Sequence, residues 1–193
     1  LAYTAVSEGH YANQIVAGVG KDRTLHLFRL SPTGAVTLFR GPLRPPRPVD
    51  PSAQLRPTSM VELNPRCRPV IWNGSPNNDD FYVAVAAGGD IWIWHENASD
   101  QKQSGWKFHS RVPNVPGVLA QIEDIVVLKS RPRTPGALLS NGRFWVYDGT
   151  DWIQPQGPQN VPLQNYAAVV PIHDHDNKIP TDSLVAISVA QKL

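Results

Sequence analysis

The sequence predicts an all-β chain of four-stranded antiparallel units, and three observations carry that prediction. Nineteen prolines in 193 residues interrupt any long helix, because proline lacks the N–H that a helix interior needs. No stretch shows apolar residues at sustained helical spacing. Short apolar runs bounded by turn residues recur instead, and two stretches repeat the same spacing of Gly, Trp and Asn-Val-Pro.

Each strand follows from a local signal. Ile15–Val19 and Leu25–Phe28 are apolar runs around a Gly- and Asp-containing turn, and Ala35–Phe39 and Met60–Leu63 continue them. Phe81–Ala86, the turn Gly88-Gly89 and the aromatic run Asp90–Trp94 match Gly136–Ser140, the turn Asn141-Gly142 and Arg143–Tyr147. Asn-Gly is a strong hairpin signal, since both residues tolerate positive φ. Gly89 and Gly142 each precede a tryptophan by three residues (Trp92, Trp145). Downstream, Trp106 stands eight residues before Asn114-Val115-Pro116, as Trp152 does before Asn160-Val161-Pro162. Strands are expected near 15–19, 25–28, 35–39, 60–63, 81–86, 90–95, 106–109, 124–128, 136–140, 143–147, 151–154 and 166–170. They group into units of about 13–64, 80–130 and 135–172, with partial strands at 1–8 and 183–193, all within one domain or part of one.

Composition narrows the class. Hydrophobic residues at 41% and charged ones at 18% suit a packed core rather than disorder. No apolar run is long enough for a transmembrane helix, so no membrane span is expected. A net charge of +2 lacks the dense basic stripe of a nucleic-acid binder, which excludes that partner class. Arg40, Arg44, Arg47, Arg56, Arg66 and Arg68 do cluster, as a solvated loop or an anion patch. Their loop also carries Pro42-Leu43-Arg44-Pro45 and Pro48-Val49-Asp50-Pro51, the spacing of polyproline II ligands, although an extended connection is the simpler reading. Cys67 is alone, so no intrachain disulfide framework is expected. The chain opens on Leu1 with no signal-peptide pattern and reads as a processed form or a fragment. Two sequons, at Asn73 and Asn97, lean toward secretion.

Successive four-stranded units with an aromatic second strand and a tryptophan opening the third resemble the blades of a β-propeller. Within that class the pattern is similar to lectin-type propellers, such as the fungal fucose-binding lectins and the tectonin-like proteins. The resemblance implies a carbohydrate-binding module without catalysis. Two alternatives stand beside it: a protein-interaction or structural component of a larger assembly, and a fragment of a propeller glycosidase.

On this reading Trp92, Trp94, Trp145 and Tyr147 fill the wedge between blades, where large rings bury most area. Trp106 and Trp152 lie next to loops. A flat indole stacks on the apolar face of a sugar, and lectin sites combine such a ring with an Arg and an acid, so Trp106, Arg111, Asp151 and Trp152 form the candidate glycan site. A structural role for both indoles is the simpler alternative. His173-Asp174-His175-Asp176-Asn177 is the densest set of potential metal ligands, but no third partner stands at an established spacing, so neither metal nor cofactor is expected. Gly18-Val19-Gly20-Lys21 is only a scrap of a phosphate loop, Cys67 has no base placed beside it, and the carboxylate pairs Asp79-Asp80 and Glu123-Asp124 are merely adjacent.

Three complete units cannot close a ring by themselves. The stray end strands would leave unpaired edges, so both termini are expected to pair with strands of another chain, identical or different, that completes the propeller.

Overall fold

A computed structural model describes residues 2–5, 14–46, 61–73, 80–97, 100–113, 121–127, 135–156, 165–171 and 184–188. These residues form an all-β structure of fourteen strands with one short 3₁₀ turn, Gln101–Gln103. The strands are β1 (Ala2–Ala5), β2 (Gln14–Val19), β3 (Leu25–Leu30), β4 (Val36–Leu43), β5 (Val70–Asn73), β6 (Phe81–Ala87), β7 (Asp90–Glu96) and β8 (Gly105–Arg111). They continue with β9 (Ile122–Val127), β10 (Pro135–Leu139), β11 (Phe144–Tyr147), β12 (Trp152–Ile153), β13 (Tyr166–Pro171) and β14 (Leu184–Ser188). Among the described residues no helix is long and apolar enough to cross a membrane.

The strands make three four-stranded meanders, β1-β2-β3-β4, β5-β6-β7-β8 and β9-β10-β11-β12, and a two-stranded sheet, β13-β14. Every pairing is antiparallel. The chain divides into two compact units, Leu1–Arg111 and Val112–Leu193. The first holds the first two meanders; the second holds the third meander and the two-stranded sheet.

The sheets begin one strand earlier than the sequence units do. The run 60–63 was expected to be a fourth strand, but Val61–Asn64 forms none, and the second sheet starts at β5. The reason is visible in its amides. Leu63 N–H donates to the Arg23 carbonyl at 3.2 Å and Asn64 N–H to the Ala86 carbonyl at 2.7 Å, so successive residues serve two different sheets and form no ladder. Similarly, the strand near 124–128 pairs with β10 as the first strand of the third sheet. At the ends, β1 pairs with β2 and β14 with β13, each the neighbouring strand of its own sheet.

In the first unit the core lies between the two meanders. Ile15, Ala17 and Val19 of β2 and Leu25 and Leu27 of β3 pack with Phe81, Val83 and Val85 of β6 and Trp92 and Trp94 of β7, and Leu63 joins them. The alternation along β2 and β6 is the period of a pleated strand. In the second unit Val126, Leu138, Phe144 and Val169 form the buried cluster.

One hairpin design is used three times. Gly20 and Thr24 close over Lys21–Arg23, Ser31 and Ala35 over Pro32–Gly34, and Leu139 and Arg143 over Ser140–Gly142. In each, the last loop residue has positive φ: Arg23 58°, Gly34 84° and Gly142 76°. This is the three-residue hairpin with a left-handed third position, one residue longer than the two-residue turn expected at Asn141-Gly142. The turn at Gly88-Gly89 does have two residues, since Ala87 pairs with Asp90. Gly18–Lys21, the phosphate-loop scrap, leads from β2 into a hairpin rather than a helix.

Candidate functional site

The predicted ligand residues fall in two places, one in each unit. Trp106 lies on β8 opposite Trp94 of β7. Their rings meet edge to face, 5.4 Å between centroids and 68° between planes. Trp106 is half-buried and packs against the core of its unit. Arg111 ends the same strand. The bulge between the Ile91 and Trp92 pairings returns Arg111 to the face of Trp106, but five residues of strand separate the two by about 15 Å. They do not form one small pocket. Arg111 instead pairs with Asp90 through two hydrogen bonds, of 2.6 and 2.9 Å. That bond raises the guanidinium pKa above its ordinary value.

In the second unit Trp152 opposes Tyr147 across β11 and β12, with ring centroids 5.6 Å apart at 59°. Its register partner is the counterpart of Trp94: Trp92 corresponds to Trp145, and two residues on Trp94 corresponds to Tyr147. Both meanders thus place an aromatic pair at the same position on their third and fourth strands. Trp152 is half-buried, and its indole N–H is sealed from solvent with no hydrogen-bond partner among the described residues. Asp151 precedes it in an exposed turn. The Asp148 carboxylate shapes that turn by accepting the amides of Thr150 and Asp151 at 2.8 and 2.9 Å, which leaves the Asp151 backbone committed and its side chain on the surface.

The expected core aromatics divide. Trp92 and Trp94 are 3% and 8% exposed and belong to the core, whereas Trp145 and Tyr147 are half-buried. Glu96 is the buried charge beneath Trp94. It accepts the Trp94 indole N–H at 3.0 Å, and Arg40 of β4 donates to its Oε1 from Nη2 at 2.9 Å and from Nε at 3.2 Å. One arginine of the predicted basic cluster is therefore spent on a structural pair between sheets. Another, Arg44, donates to the Asp22 carbonyl at 3.2 Å. Pro42 lies within β4 and Pro45 is buried, so the first PxxP is not a free polyproline segment.

Two further arrangements carry no signal in the sequence. Trp72, Tyr82 and His95 stack across β5, β6 and β7, with centroids 5.6 and 4.6 Å apart and planes within 18°. His95 Nε2 stands 3.5 Å from Asp80 Oδ2. Nothing in the sequence signals this ladder, because its members come from three strands whose register sets their alignment. The second arrangement is Asp22, Thr24 and His26. The Thr24 hydroxyl donates to Asp22 Oδ2 at 2.6 Å and lies 2.8 Å from His26 Nε2. Thr24 is 1% exposed, so this trio fastens a hairpin and presents no nucleophile. Cys67 is also buried, at 2%.

The Thr24 hydroxyl, with lesser help from the Thr24 amide and His26, holds the Asp22 carboxyl below its usual pKa. A carboxyl with a depressed folded pKa adds stability that is complete above its unfolded value, about 3.9, and lost as pH falls through the folded value. Asp22→Asn is therefore expected to flatten the decline of stability below about pH 4. The substitution is compatible with the hairpin, because Asn141 caps the matching loop by accepting the Arg143 amide at 3.1 Å, as Asp22 accepts that of Thr24. Urea unfolding followed from neutral to acid pH checks this; parallel curves for the two proteins would refute it.

Among the described residues no group of three or more His, Cys, Asp and Glu side chains could hold a metal ion. The segment His173–Asn177 lies outside the described residues. The chain matches no protein-family model, and no curated protein is significantly similar to it.

Proposed function

We propose that this chain is a non-catalytic carbohydrate-binding module whose four-stranded sheets are β-propeller blades. The observation that carries the reading is the aromatic pair at one register position in two meanders, Trp94 with Trp106 and Tyr147 with Trp152. The common meander order and the shared hairpin of the first and third sheets support the blade assignment. In each pair the fourth-strand tryptophan lies on an edge strand and keeps part of its surface in solvent. Such an indole can cover the C–H face of a sugar, and at Trp152 the exposed carboxylate of Asp151 stands beside it to take a hydroxyl; the Arg111–Asp90 pair is too far from Trp106 to reach the same sugar ring. Two weak sites in one chain would gain avidity on a branched glycan.

A glycan array carrying fucosylated, galactosylated and sialylated structures tests the proposal, followed by titration calorimetry of the best ligand. Trp106→Ala and Trp152→Ala should each cost about 2 kcal/mol at the altered site, roughly thirtyfold in Kd, without unfolding the chain. No binding across the array, or binding indifferent to both substitutions, would refute it. A protein-interaction role is the second reading. It is favoured by Val36 and Leu38, 63% and 58% exposed on the edge strand β4.

A further inference from the structure

β14 is the edge of the narrowest sheet. The three meanders have four strands each, whereas β14 pairs only with β13 among the described residues. A two-stranded sheet is marginal in water, and this one is held on one face by Val169, 1% exposed, with Leu184 packed against the same cluster. Its other face leaves Val170, Val185 and Ile187 at 48%, 49% and 57% exposure. These three are neighbours, because Val170 pairs with Val185 and Ala168 with Ile187. Leu184-Val185-Ala186-Ile187-Ser188 contains no charge and no proline. Proteins normally blunt an open edge with such residues, and an unprotected one is a template for another strand.

We infer that β14 pairs antiparallel with β14 of a second copy of this chain about a two-fold axis through Ala186. The segment suits this partner because its central Val185-Ala186-Ile187 has nearly the same chemistry read in either direction. Ala186 would face Ala186 of the second copy, Val185 would face Ile187 and Leu184 would face Ser188. Both apolar strips then merge, and the order β13-β14-β14-β13 has the four strands and alternating directions of the meanders. An isologous contact of this kind closes at a dimer. Five residues a side bury much less than the roughly 1,200 Å² of a stable interface, so the dimer is weak and concentration-dependent. It does not depend on sugar binding, and either reading can fail alone.

Covalent trapping tests it. Two Cα atoms facing each other in an antiparallel pair lie about 4.5–5.5 Å apart, within disulfide range, and native Cys67 is buried and does not compete. Under mild oxidation Ala186→Cys should give a disulfide dimer at least tenfold faster than Thr33→Cys, a control in the exposed β3–β4 turn. Adding Val185→Lys and Ile187→Lys should abolish that advantage. Equal trapping rates for Ala186→Cys and Thr33→Cys would overturn the inference. So would protection from hydrogen exchange of those β14 amides that point away from β13, at a dilution where ultracentrifugation shows only monomer, since the chain itself would then cover the edge. Growth of the unmodified protein beyond a dimer would point to a head-to-tail contact and overturn it equally.

Discussion

Arg40→Ala is expected to destabilise the unit Leu1–Arg111 by about 3–5 kcal/mol, the cost of leaving a buried charge without its partner. Glu96 is 1% exposed, and without the guanidinium its carboxylate keeps, among the described residues, only the indole N–H of Trp94. The penalty comes from the stranded acid more than from the lost attraction, so removing both charges should cost far less. Arg40→Met combined with Glu96→Gln keeps an acceptor for Trp94 and should recover most of the loss. Urea unfolding of the single and double variants measures both quantities. A loss under about 1 kcal/mol for Arg40→Ala would place the pair with solvent-screened surface bridges and contradict the burial argument.

Gly142→Ala should destabilise the unit Val112–Leu193 by about 2–4 kcal/mol, from two separable causes. Gly142 has φ +76°, a left-handed conformation that costs an L-residue roughly 1–2 kcal/mol. A Cβ there would also lie 2.9 Å from Asn165 Cα and 3.1 Å from the Asn165 and Tyr166 nitrogens, where only backbone could give way. That backbone is anchored to the same turn, because Tyr166 N–H donates to the Gly142 carbonyl at 3.0 Å. Gly88→Ala is the matched control. Gly88 is also left-handed, at φ +60°, but its Cβ would meet nothing within 4 Å, so it should show the conformational cost alone. Equal losses at the two glycines, read by thermal or urea unfolding, would mean that β13 moves aside freely.

These two glycines separate what is local from what is not. That the chain turns at Gly88-Gly89 and Asn141-Gly142 is legible in the sequence, because positive φ is a property of a residue and its neighbours. So are most strand positions, since alternation and turn chemistry act over a few residues. The return of Asn165 onto Gly142, 23 residues later, is not local, and it decides which of the two glycines tolerates a side chain. The grouping of strands shows the same limit. Met60–Leu63 has a strand's composition, yet its last residue and Asn64 bond to different sheets, and composition carries no information about which backbone will be adjacent. For the candidate site, Trp106 and Trp152 stood out through equal spacing, and the structure gives them equivalent register partners. The roles of Arg111 and Arg40 were hidden, as was the Trp72–Tyr82–His95 ladder. Arg40 and Glu96 are 56 residues apart in sequence, and their pairing exists only because two sheets enclose one core. Local conformational preference determines where this chain extends and turns; register and packing between distant strands determine which charges and rings meet.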